Sequence, residues 1–188
     1  MPRLGLGLLL LAAAALVAGC GSNEAPPLPP GPAPPQNVAL DWVERFPEQG
    51  PALVFSAHGF EVTSSGWTAE LEVENDTPMT WRIAQSPATA FGVMLFTSDE
   101  AEEVEQRSHD DDLPGLRPAR TFDPALPARL PPGASWVGTM SAPGPLAAGL
   151  HVRLVFGRLV AVGTPPEGMP TEFSWITDHS YALRSTQL

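Results

Sequence analysis

The stretch from Gly66 to Asn75 constrains the fold more than any other. Trp67, Ala69, Leu71 and Val73 fall on one side of an extended chain, and Thr68, Glu70, Glu72 and Glu74 on the other. Successive side chains of a strand point to opposite faces, so this period of two describes a strand with one face in a core and one in water. Stretches of the same kind recur, separated by Gly and Pro. Leu53 to Val62 is a half-buried strand in which Gly59 marks a bulge. Asn75-Asp76-Thr77-Pro78 is a turn, and Thr80 to Ile83 starts a return strand. Thr89 to Thr97 is nearly continuous apolar, as expected of a strand in the middle of a sheet. Arg120 to Phe122 adds a short strand. Leu130-Pro131-Pro132-Gly133 is a turn before Ala134 to Ser141, which Pro143-Gly144-Pro145 ends. Leu150 to Val162 returns with a bend at Gly157, and the stretch from Phe173 to Leu183 supplies one or two terminal strands. Val38 to Phe46 has Val38, Trp42, Val43 and Phe46 at mixed spacings. It reads as a short helix or an irregular lead-in, ended by Pro47.

About seven to nine short strands with little helix predict an all-β fold. The expected form is an immunoglobulin-like antiparallel β-sandwich over residues 38–188, with a closed barrel as its rival. Cys20 is the only cysteine, so no internal disulfide exists and Trp67, Trp136 and Trp175 are expected to supply core area. One polar stretch, Ser98 to Pro118, interrupts the pattern, with one or two helical turns over Glu100 to Arg107. It holds Asp99, Glu100, Glu102, Glu103, Glu105, Asp110, Asp111 and Asp112. Burying so much like charge is prohibitive, so this is an exposed excursion between strands. Asp110, Asp111 and Asp112 are the candidate ligands for a hard cation, although the spaced acidic loop of an EF-hand is absent. The alternative is a solvated loop.

The chain opens with Arg3 and then fifteen apolar residues, Leu4 to Ala18. A permanent transmembrane helix needs roughly 20, so the run reads as an export signal. Val17-Ala18-Gly19-Cys20 resembles the bacterial lipobox. That resemblance implies cleavage after residue 19 and lipidation of Cys20, with diacylglyceryl on the thiol and an acylated, palmitate-type N-terminus. Two or three chains anchor a protein stably, where one does not. Residues 20–37 then form a lipidated cysteine and a tether, with seven prolines between Gly21 and Gln36. Polyproline II rises about 3.1 Å per residue, so sixteen such residues span roughly 50 Å. The strand order, the proline-glycine turn before a late Trp-bearing strand and the lipoprotein start together resemble bacterial secreted immunoglobulin-like modules.

All ten basic residues are Arg. Without Arg3, nine face 21 Asp and Glu, leaving −12 on the mature chain. Such a surface repels nucleic acid and anionic headgroups, so the membrane partner is met through the lipid. No G-x-S-x-G, H-E-x-x-H, P-loop or post-strand G-x-G-x-x-G occurs. His58, His109, His151 and His179 match no short metal spacing. Asp178-His179-Ser180 holds triad residue types side by side, but strand neighbours point to opposite faces. Met79, Met94, Met140 and Met169 invite comparison with copper carriers, yet lack close His–Met pairs; core packing accounts better for Met94 and Met140. The expectation is a non-enzymatic, cofactor-free binding or structural module. It sits on the extracytoplasmic side of the cell membrane or outer membrane and meets an envelope protein or ligand. The alternative is a loop-built hydrolase or a metal-handling periplasmic protein using Asp178, His179 or the acidic segment.

Overall fold

The computed structural model describes residues 31–83, 91–165 and 168–185. The signal (1–19), Cys20 and most of the tether lie outside the described residues. In chain order the elements are β1 (Gln36–Phe46), β2 (Leu53–Val62), β3 (Gly66–Asn75), β4 (Trp81–Ile83), β5 (Gly92–Phe96), α1 (Ala101–His109), β6 (Arg117–Pro118), β7 (Thr121–Asp123), β8 (Arg129–Leu130), β9 (Ser135–Pro143), β10 (His151–Ala161), β11 (Glu172–Ile176) and β12 (Tyr181–Ala182). The alternating stretch is β3. Trp67, Ala69, Leu71 and Val73 are buried, while Glu70 is exposed.

Two antiparallel sheets pack as a sandwich. One runs β1-β2-β3-β9-β7. The other is built on β10. Val155 pairs with both Gly92 of β5 and Ile176 of β11, and Leu159 with both Ile83 of β4 and Phe173 of β11. A residue has one partner per edge, so β5 and β4 lie end to end on one edge of β10, with β11 and β12 on the other. β6 and β8 extend the sheet beyond β5 and β4. The twelve strands among the described residues exceed the expected seven to nine because five of them are only two or three residues long. The all-β sandwich is as expected, and β1, β2 and β3 follow one another as an antiparallel meander.

The inward faces meet in one core. Phe55, Phe60, Leu71 and Val73 come from the first sheet, and Trp81, Val93, Leu154 and Phe156 from the second. Trp67 and Trp136 are buried as expected, and Trp175 is half-buried against the core. Trp81, in the short return strand, is fully covered and donates its indole N–H to Thr77 at 3.0 Å. The turn after β3 is a saturated polar knot. The buried Asn75 amide donates to the carbonyls of Met79 (2.7 Å) and Leu130 (2.9 Å), and accepts from Thr77 N–H (3.0 Å) and O–H (2.6 Å). The knot sends the chain across to the other sheet. β2 changes phase at Gly59, and β10 shifts register between Phe156 and Leu159, around Gly157.

Two expectations are corrected. Val38 to Phe46 is strand, not helix or lead-in. Its inward series is Val38, Leu40, Trp42, Glu44 and Phe46, so a carboxylate takes an inward position while the apolar Val43 stands 61% exposed outside. That inversion disguised the period of two. The folded part also begins before residue 38. Gly31 and Ala33 exchange backbone hydrogen bonds with Ala148 and Leu146, Ala33 is buried, and Gln36 and Asn37 belong to β1.

Candidate functional site

β1 and the β11–β12 pair form neighbouring edges of the two sheets, and polar contacts close the seam between them. Tyr181 donates its hydroxyl hydrogen to Gln36 Oε1 at 2.9 Å, and Arg184 N–H reaches the same oxygen at 3.1 Å. Phe46 packs on Phe173 and Trp175, with ring centroids 4.8 and 5.6 Å apart. Between these contacts lies Glu44, 7% exposed. Its Oε2 accepts from the Trp175 indole (2.5 Å) and Asp178 N–H (3.1 Å). Its Oε1 meets His179 N–H (3.1 Å) and His179 Nδ1 (2.8 Å). A carboxylate accepts only, so Nδ1 carries the hydrogen of this contact. His179 also stacks on Trp42, centroids 5.6 Å apart.

Arg153 on β10 grips the same loop from the other side. Its guanidinium donates to the carbonyls of Thr177 (2.8 Å) and Asp178, and to Asp99 (2.8 Å) at the root of the acidic excursion. It lies 5.4 Å over the Phe96 ring and is fully buried; its Nε has no partner among the described residues. Thr177 locks the loop further, accepting Leu154 N–H at 3.0 Å and donating to the His179 carbonyl at 2.9 Å.

The electrostatics follow from this packing. Burial pushes the Arg153 guanidinium down from its ordinary value, while the carboxylates of Asp178 and Glu44 oppose the shift. Partial desolvation raises the Asp178 carboxyl, and the Glu44 charge beside it adds to the rise; Arg153 and His179 oppose. Glu103 is held below the usual carboxylate range, first by the hydrogen bond from Ser98 and further by Thr97 and Arg107, with burial opposing.

The acidic excursion is exposed, as its charge requires, and has one helix. Glu103 ties α1 to the end of β5 through Ser98 Oγ (2.7 Å) and pairs with Arg107 at 2.7 Å. The excursion lies over the outer face of the second sheet. The two enclose a cleft of about 490 Å³ between Leu113 and Leu116 on one side and Met94, Val155 and Ile176 on the other. Asp110, Asp111 and Asp112 follow the helix; Asp112 pairs with Arg107 at 3.6 Å. Among the described residues no three His, Cys, Asp or Glu side chains converge so as to hold a metal ion.

The histidines are dispersed. His58 faces Glu72 at 3.7 Å on the outer side of the first sheet, and His151 lies 3.5 Å from Ser180 Oγ. Asp178-His179-Ser180 is thus pulled apart: His179 turns to Glu44, and Ser180 toward His151. Met140 is fully buried and Met79 nearly so, whereas Met94 is half-buried beneath the excursion. Sequence reasoning missed Glu44 and Arg153. The available signal was a charge inside an otherwise apolar run: Glu44 at an inward position of VALDWVERF, and Arg153 in LHVRLVF, on the outer face of β10 between the core residues Val152 and Leu154. No protein-family model matches the chain, and neither the curated proteins nor the solved structures yield a match.

Proposed function

We propose that the protein is a lipid-anchored, non-enzymatic binding or structural module, held through Cys20 on the extracytoplasmic side of a bacterial cell envelope. The lipobox supports the anchor, and the strongly acidic composition supports attachment by lipid in place of a basic patch. One observation carries the non-enzymatic part. The two buried charges that could serve chemistry, Glu44 and Arg153, are directed largely at main-chain groups of one loop, so they act as a staple. Metabolic labelling with a palmitate analogue, together with cross-linking in intact cells, tests the reading. Label lost in Cys20→Ala, and an envelope component cross-linked to wild type, are expected. An unlabelled wild type would remove the anchor.

The metal-handling or hydrolytic alternative rests on the Glu44–His179 pair, a carboxylate hydrogen-bonded to one ring nitrogen, which would leave the other nitrogen to take a metal or a proton. A metal copurifying with wild type and absent from His179→Ala would favour it.

A further inference from the structure

Residues 117–123 carry the chain from one sheet to the other. β6 pairs with β5 in the second sheet, and β7, after two intervening residues, pairs with β9 in the first. The crossing is pinned by main-chain bonds from Ala119 N–H to Phe91 (2.9 Å) and from Arg120 N–H to Ser141 (2.7 Å). This corner presents Arg117 and Arg120 at a cleft of about 240 Å³ over Trp67. Arg117 donates to the Pro145 carbonyl at 3.2 Å, and among the described residues neither guanidinium joins an ion pair. A second cleft of about 390 Å³ shares the Trp67 wall, and a third of about 260 Å³ shares Arg117.

Among the described residues no Asp or Glu lines any of the three, in a chain whose 21 carboxylates outnumber its 10 basic residues. Two guanidiniums that no described carboxylate pairs, beside clefts that no described carboxylate lines, focus a local positive potential. Along the second cleft, Thr68, Ser141 and Thr121 are cross-strand neighbours on β3, β9 and β7. Their hydroxyls share one face, spaced by the strand separation of about 4.8 Å. The next hydroxyl along β9, Thr139, donates to the Asp123 carbonyl at 3.4 Å, but no hydrogen bond within the described residues engages these three.

We propose that this corner binds an acidic saccharide, with its carboxylate on Arg117 and Arg120 and its ring hydroxyls on Thr68, Ser141 and Thr121. A guanidinium matches a carboxylate as a fork, and a hydroxyl both donates and accepts, so a row of them meets sugar hydroxyls in either sense. A bare inorganic anion would use the arginines and leave the row idle. A neutral sugar would do the reverse. The site is independent of how the chain is anchored.

The test is calorimetry on the full-length chain in detergent, titrated with trigalacturonate, with neutral galactotriose and with inorganic phosphate. Saturable binding of the uronate is expected, weakened by rising salt. Arg117→Ala and Arg120→Ala should each lower its affinity at least about tenfold, the scale of one lost charged hydrogen bond. Ser141→Ala should lower it several-fold. Arg129→Ala, on the second sheet, and Cys20→Ala should leave it unchanged, so a failed anchor and a failed site are told apart. Unaltered thermal melts of the arginine variants show that the fold survives. Absence of uronate binding, binding indifferent to Arg117 and Arg120, or equal binding of phosphate or galactotriose would each overturn the assignment.

Discussion

Glu44 and Arg153 hold one loop between them: the carboxylate takes the N–H groups of Asp178 and His179, and the guanidinium takes the carbonyls of Thr177 and Asp178. One residue comes from the edge of the first sheet and the other from the centre of the second, so the loop between β11 and β12 is the tie across the sandwich seam. A buried charge is tolerated when its hydrogen-bonding capacity is filled, and Glu44 meets that condition with four donors.

Removing that carboxylate strands the Trp175 indole and two backbone donors. Glu44→Ala is expected to cost about 3 kcal/mol or more, a fall in Tm of roughly 6–12 °C for a chain of this size. His179→Ala removes a half-exposed partner and should cost less than about 1 kcal/mol. Urea and thermal unfolding of both variants check this; equal losses would put the staple in the imidazole.

Asp178 supplies a pH signature. Its carboxyl is raised above the ordinary 3.8, so the folded state disfavours its ionisation. The stability contributed by the protonated form is present below the unfolded pKa and is lost as pH rises through the folded one. Asp178→Asn should therefore be the more stable protein at neutral pH, by no more than about 0.5 kcal/mol after solvent screening. The gap should close below roughly pH 4. A variant less stable than wild type at neutral pH would contradict this.

The face assignment of β3 is tested by adjacent residues. Leu71 is fully buried, and Leu71→Ala should cost about 2–5 kcal/mol. Glu70 is exposed, and Glu70→Ala should shift stability by no more than roughly 0.5 kcal/mol. Denaturant titration of the pair separates the two outcomes.

Gly92 lets β6 approach β5, because a Cβ there would overlap the Arg117 carbonyl oxygen, a backbone atom that cannot swing aside. Gly92→Ala should cost about 1–3 kcal/mol, and hydrogen exchange should show the 117–123 crossing loosened first. Unchanged protection there would mean that the crossing is held by other contacts.

Cys20→Ala should block lipid-coupled processing, leaving uncut precursor or unanchored protein. Fractionation reads this directly: a mature, detergent-requiring product from the alanine variant would refute lipidation at Cys20.

Strand positions in β2, β3, β9 and β10 were legible in the sequence because Gly and Pro end each run, and the inward face of β3 because burial on one side imposes a local period of two. The exposed course of the acidic excursion was legible from charge alone. β1 was not, because Glu44 and Val43 exchange the polarities that such a pattern relies on, and only the donors waiting on β11 and its following loop make an inward carboxylate stable. Arg153 was hidden for the same reason: the carbonyls that receive it come from residues 99, 177 and 178, distant in sequence. Which sheet each short strand joins, and hence the corner that sets Arg117 and Arg120 beside the hydroxyl row of β3, β9 and β7, depended on pairing between remote segments. Local periodicity encodes which side of a strand faces inward; which strand lies next to it is decided by packing and hydrogen bonding in three dimensions.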